Sequence, residues 1–530
     1  MRNFAKPFLL TSLILAAWCG AAPLAAVAPF PLPASTAVEL GDFGLGDMRL
    51  AGHPDEGWLL VGTDFEAIGR IKAVRIAPDG TLGKAAITEE LDPIDVLVLA
   101  LAVTSSGRWV AVWTGEDWEF SSPQAALFEP DGTLVREIEL SAPDEVRPAS
   151  LRRAVVAAVP DGGFVIAWGA RTAQTQPADD IFFSADLFAA RFSASGELLA
   201  GPELVNELRI GFQAPTGIAV GPTAVVVTWD SWCCESEPSW NLRARALALD
   251  LSPLSGVVEV NEGRYQTFGE PGKVLAVDSS GRFVVAWAER LSPAEGDPLS
   301  QIVLFRRFEA TGEPAEPATP VAMDWTGLRR LASAATPSGA VWMTWADGTP
   351  GEVWARPFSF SGAPLGPAVP TGFSWDRDSR GIFLAADPAS RVLIVTDEWP
   401  DPALGLRLEG RAPPPENALT SPELPGYRVW VLITGRPGDS RWGAEVPACL
   451  AETICASGAV PGRVEVMVRV VGPKPNGFLW PLLVKLTTSR VEVWIEQEAT
   501  GELRYYLLPG ASPGDDTLPG LFDRRGFSPE

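Results

Sequence analysis

Acidic side chains and tryptophans recur together in this chain, and they are the residue types most able to do chemistry here. TGEDWEFSS carries Glu116, Asp117 and Trp118, and DSWCCESEPSW carries Asp230, Trp232, Glu235 and Trp240. AERLSPAEGDPLS follows Trp287, and DEWPDP supplies Asp397, Glu398 and Trp399. An indole face stacks on a sugar ring or a cation, and a carboxylate accepts hydroxyl hydrogen bonds or holds a cation. The pairing therefore points to a carbohydrate or cation site. Two carboxylates at the right separation could also cleave a glycosidic bond by acid and base catalysis. Acids so placed also serve simply to keep a rim solvated.

Other catalytic templates fail on residue types. His53 is the single histidine, in the turn GHPDEG, so a Ser-His-Asp triad and histidine-ligated metals have no basis. Sialidase-type sites need a tyrosine nucleophile, and Tyr265 is the one tyrosine before residue 427. The run WDRDSRG at 375–381 starts like a calcium loop but lacks its later acids. No cofactor and no metal is expected.

Cys233 and Cys234 are adjacent, and Cys449 and Cys455 are close in sequence. With Cys19 set aside in the N-terminal 28 residues, the remaining four of five cysteines allow three pairings. A local Cys449–Cys455 bridge leaves Cys233 and Cys234 as a vicinal disulfide or reduced, and a bridge between the two regions is the alternative. A redox role is disfavoured, because no C-x-x-C spacing is present.

The address is legible at the start of the chain. MRNFAK, an apolar run and a small-residue stretch make residues 1–28 an export signal, with Cys19 offering a less favoured lipoprotein reading because Trp18 precedes it. No later run is long enough to span a membrane as a helix. The formal charge of −24 makes nucleic acid and anionic lipid unsuitable partners and leaves cations, basic proteins and neutral glycans. With 51 glycines, 49 prolines and 46% hydrophobic residues, the composition describes many turns around a real core.

The elements that must position these residues come from a repeat. GWLLVGT, GRWVAVW, GGFVIAW, TAVVVTW, GRFVVAW, AVWMTW and SRVLIVT end at Thr63, Trp113, Trp168, Trp229, Trp287, Trp345 and Thr396, spaced 50 to 61 residues apart. Each is flanked by an upstream apolar run, a downstream strand such as AARF or LFRRF, a tight turn and a closing strand such as ELVN. Four short strands per unit in seven units predict an all-β chain: a seven-bladed β-propeller of four-stranded antiparallel blades over 36–411. The seventh unit lacks a fourth strand, so TAVEL at 36–40 is expected to complete it and close the ring. The strand-end tryptophans are expected to pack between blades. The loops after each second strand are the long, acidic ones, so the ligand face is placed there.

The pattern GxFVVAW, xARxF, SxSGxxxxGPExxVN resembles propeller-type repeats of large secreted bacterial proteins, which implies a fold and an exported location. Residues 412–425 read as a proline-rich linker, and 426–530 as a small β-sandwich-like domain. The run NGFLWPLLVKLTTSRVEVWIEQEATGELRYYLLPG, with Trp480, Thr500 and Gly501, resembles an uncharacterised C-terminal domain of secreted bacterial proteins and implies no activity. The function expected is that of an exported binding or scaffold protein holding an extracellular glycan, cation or protein. The alternative is an extracellular polysaccharide hydrolase or lyase using loop carboxylates.

Overall fold

The computed structural model describes residues 34–522 apart from a set of connecting segments. The main ones are 40–44, 65–68, 92–96, 115–122, 148–152, 176–183, 233–240, 262–272, 291–300, 361–364, 376–378, 399–403, 410–418, 420–425, 435–439, 472–479, 498–501 and 509–519, with shorter ones elsewhere. Among the described residues every regular element is a β-strand. The larger of two compact units holds residues 30–418 with Val493–Leu507, and the smaller holds 419–492 with 508–530. Residues 1–28, read from the sequence as an export signal, lie outside the described residues.

In the larger unit, consecutive strands pair antiparallel into four-stranded sheets. The second sheet shows the pattern: Leu97–Val103, Trp109–Thr114, Gln124–Phe128 and Leu134–Ile138 pair in that order. The third is built on Ala154–Ala158, Phe164–Thr172, Asp186–Phe192 and Leu198–Leu204, with Glu145–Arg147 added beside Phe164–Thr172. The fourth is built on Phe212–Val220, Ala224–Trp232, Asn241–Ala248 and Val258–Glu259. Each repeated apolar motif forms a second strand. In Trp109–Thr114 all six residues are buried. A sheet covered on both faces needs an unbroken apolar run there, and one with a solvated face would alternate.

The cover comes from the neighbouring sheets. Trp113 packs with Leu59 and Val61 of the sheet before it, Trp168 with Val110 and Val112, and Trp229 with Val165 and Ala167. Trp287 continues the series against Val226 and Leu242, and Trp345 against Val284 and Phe305. The series returns to its start, because Met48, Trp58 and Leu60 share a core with Ala385, Leu393 and Val395. At that junction Trp58 donates its indole N–H to Ala385 O at 3.0 Å. Gly52 permits the approach: a Cβ there would lie 2.0 Å from Ala386 O. The arrangement is propeller-like.

The last sheet, Ser379–Ala386, Val392–Glu398 and Leu404–Glu409, takes its fourth strand from the other end of the chain. Ala34–Glu39 pairs antiparallel with Leu404–Glu409, from Ala34 opposite Glu409 to Glu39 opposite Leu404. The strand starts two residues before the expected 36–40, and residue 40 lies outside the described residues.

In the smaller unit, Ala444–Glu445, Ile454–Ser457, Val466–Val471, Trp480–Lys485 and Gly520–Phe522 form one sheet in that order. Val466, Val468 and Leu483 are buried in it. Tyr427–Thr434 pairs with Ser440–Trp442. Within the linker reading of 412–425, Leu419 bridges to Val429 and the rest lies outside the described residues. Thr500 and Gly501 lie outside them as well.

Candidate functional site

Strands joined in order in an antiparallel sheet place their connections alternately at the two ends. One end carries the short turns. In the fifth sheet, built on Lys273–Val277, Phe283–Arg290, Gln301–Phe308 and Thr319–Asp324, Asp278 organises the turn DSSGR: its carboxylate accepts from the backbone N–H groups of Ser280 and Arg282 and pairs with the Arg282 guanidinium at 2.7 Å. Gly281 supplies the positive φ of 82° that this turn requires. In the second sheet Thr104 replaces the aspartate, and Arg108 turns outward to Glu129 at 2.6 Å. His53 lies at this end, 4% exposed, with Nδ1 accepting the Asp55 backbone N–H at 3.2 Å.

The opposite end carries the long connections, and two buried carboxylates are anchored there. Asp186 begins the third strand of its sheet and is fully buried. Its Oδ2 accepts from Arg209 Nη2 at 2.7 Å, Arg209 Nε at 3.1 Å and Thr175 Oγ1 at 2.6 Å, and its Oδ1 accepts from Asn206 Nδ2 at 3.0 Å. Arg209 also donates to Thr172 Oγ1 at 2.8 Å and to Gln174 Oε1. A buried carboxylate is tolerable only when paired and hydrogen-bonded, and this one is both. The network ties the segment after Phe164–Thr172 to the connection that leads into the fourth sheet.

Asp230 is the second. It stands near the end of Ala224–Trp232, fully buried, with Oδ2 at 2.7 Å from Arg153 Nη1. Arg153 immediately precedes the first strand of the third sheet, and its side chain keeps 38% of its surface exposed. Two residues beyond Asp230, Trp232 faces Phe212 across the strand pair and packs against Ala185, Phe212 and Ala214. Beneath them Trp229 donates its indole N–H to Gln213 Oε1 at 2.9 Å, and Gln213 Nε2 donates to Ile210 O at 3.2 Å. Arg153, Asp230 and Trp232 thus occupy the seam between the third and fourth sheets.

Of the residues singled out by sequence, Asp230 and Trp232 are placed with their surroundings. Asp397 and Glu398 end the strand Val392–Glu398, opposite Gly381 and Ser379. Glu116, Asp117, Trp118, Glu235, Trp240, Trp399, Cys233, Cys234 and Cys449 lie outside the described residues, whereas Cys455 is buried within Ile454–Ser457. Arg153, Asp186 and Arg209 went unremarked in the sequence. The available signal was local: a double arginine, Arg152 and Arg153, just before a first strand, and VNELR before another.

No family model and no curated protein matches this chain. Among solved structures it is similar to a protein of unknown function from Dyadobacter fermentans, at 11% identity and a TM-score of 0.40, over 71% of this chain and 98% of that one. It is also similar to the β-propeller domain of the Trilobed protease from Pyrococcus furiosus, which has an open velcro topology. That likeness has 12% identity and a TM-score of 0.39, over 72% of this chain and 96% of the other. A member of the DUF4221 family from Bacteroides vulgatus shows 11% identity and a TM-score of 0.34, over 59% and 91%.

Proposed function

We propose that this chain is an exported binding protein: a seven-bladed propeller, closed by its N-terminal strand and followed by a sandwich-like domain, that holds an extracellular glycan or protein at its long-loop end. The observation that carries the reading is the pair of anchored carboxylates, Asp186 with Arg209 and Asp230 with Arg153, both at that end. Anchored loop bases on a rigid scaffold are what a binding surface requires, because affinity rises when the groups that meet the ligand are already ordered. Asp230 engaged with Arg153 fits an orienting role better than a proton-transfer role. The acid- and tryptophan-rich loops of the sequence would supply the contact surface, and a Cys449–Cys455 bridge would brace the smaller domain.

A glycan array on the full exported chain, read alongside a reducing-sugar assay, tests the reading. Retention of a glycan without new reducing ends is the expected result. Release of product would favour the hydrolase, and a blank array would leave a protein ligand to be sought by pull-down with the purified chain.

A further inference from the structure

We infer that the ligand carries a carboxylate and that Arg153 receives it, with Trp232 as the plate beneath the sugar that bears it. The inference rests on the glycan-binding reading and narrows it to a sugar acid. Arg153 is tethered by Nη1 alone, and among the described residues its Nε and Nη2 have no further hydrogen bond. A guanidinium is a planar fork that meets a carboxylate with two parallel N–H donors. Here the fully buried Asp230 fixes the position of one arm while 38% of the side chain stays open to solvent. The cation is thereby held in place before any ligand arrives.

Trp232 supplies the second half. Asp230 and Trp232 stand two residues apart on one strand, so they share a face, and the half-buried Trp232 is braced by Phe212, Ala214 and Ala185. A stacking ring beside a forked cation selects a flat-faced sugar with a negative group at its edge over a neutral sugar or a metal ion. The charge of the whole chain sets a limit on the ligand. At −24 the protein repels a polyanion, and screening reduces that repulsion only beyond about 8 Å at physiological salt. A single carboxylate within reach of Arg153 gains the local attraction without most of the repulsion.

The test is a calorimetric titration of the full chain with a xylo-oligosaccharide bearing one glucuronic acid. The comparison is the same sugar after reduction of its carboxylate to the alcohol. Wild type should prefer the acid by about tenfold or more, the difference expected of charge-assisted hydrogen bonds. Arg153→Lys keeps a cation for Asp230 but removes the fork, so it should erase most of the preference while leaving the melting midpoint near wild type. Trp232→Leu should weaken both sugars alike. Equal affinity of wild type for the two sugars, or a preference that survives in a folded R153K, overturns the inference while leaving glycan binding standing. Binding of neither sugar also overturns it, and the glycan-binding reading falls with it only if the glycan array is blank. Should R153K fail to fold, the matched sugars on wild type still decide.

Discussion

The backbone N–H of Gly57 donates to Asp387 Oδ2 at 3.1 Å, joining residues 330 positions apart in the chain. Asp387 is 1% exposed and is also held by Arg391, which reaches on to Glu56 at 2.7 Å. One carboxylate therefore organises its own turn and grips the turn between the strands Leu45–Gly52 and Trp58–Asp64. Asp387→Ala should leave Arg391 without its buried partner and lower stability by about 3 kcal/mol. Chemical denaturation of the variant checks this, and a loss below about 0.5 kcal/mol would mean the junction is held by its apolar core alone.

The strand Ala34–Glu39 fills an edge that would otherwise expose the hydrogen-bonding groups of Leu404–Glu409. A form starting at residue 40 should melt earlier and aggregate during heating. Differential scanning calorimetry with light scattering reads both. Adding the peptide ASTAVE in trans should recover part of the loss, which a nonspecific truncation effect would not allow.

His53 gives the stability a pH dependence of known sign. Burial holds its pKa below 6.5, the Arg75 charge lowers it further, and Asp55 opposes both. The folded state therefore favours neutral imidazole. The contribution is intact above about pH 6.5, the unfolded value, and declines as pH falls toward the depressed folded value. His53 is the single histidine, so His53→Gln should flatten the melting profile in that window. An unchanged slope would place the pH sensitivity in the carboxylates instead.

Asp186 accepts from Arg209, Thr175 and Asn206 at once. Asp186→Ala should strand the Arg209 guanidinium and loosen the segment between Thr172 and Asp186. Hydrogen exchange should then rise there with little change in the second sheet. Uniform exchange across the chain would instead mean that the ion pair stabilises the whole unit rather than the loop base.

The second strands were legible because burial on both faces writes an unbroken run such as GRFVVAW, which survives in any single sequence. The turn DSSGR was legible for a similar reason, since Asp278 and its partners lie within four residues of it. The closing strand was legible from what was missing: the seventh unit lacked a fourth strand and TAVEL was unclaimed. Arg153 with Asp230 was not legible. The two are 77 positions apart, and only the seam between two sheets brings them together. Read in one dimension, Asp230 looked like another loop acid, and its burial could not be inferred from the acidic residues that follow it.

The claim that ligand is held at the long-loop end is tested most directly by comparing two variants against the glycan that the array retains best. One changes Trp118, Trp232 and Trp399 together to alanine, and the other changes Glu129 at the short-turn end to glutamine. The account predicts that the triple variant, still folded by circular dichroism, loses binding by about a hundredfold, as expected when aromatic anchors are removed, and that Glu129→Gln binds as wild type does. Unchanged affinity in the triple variant would contradict it.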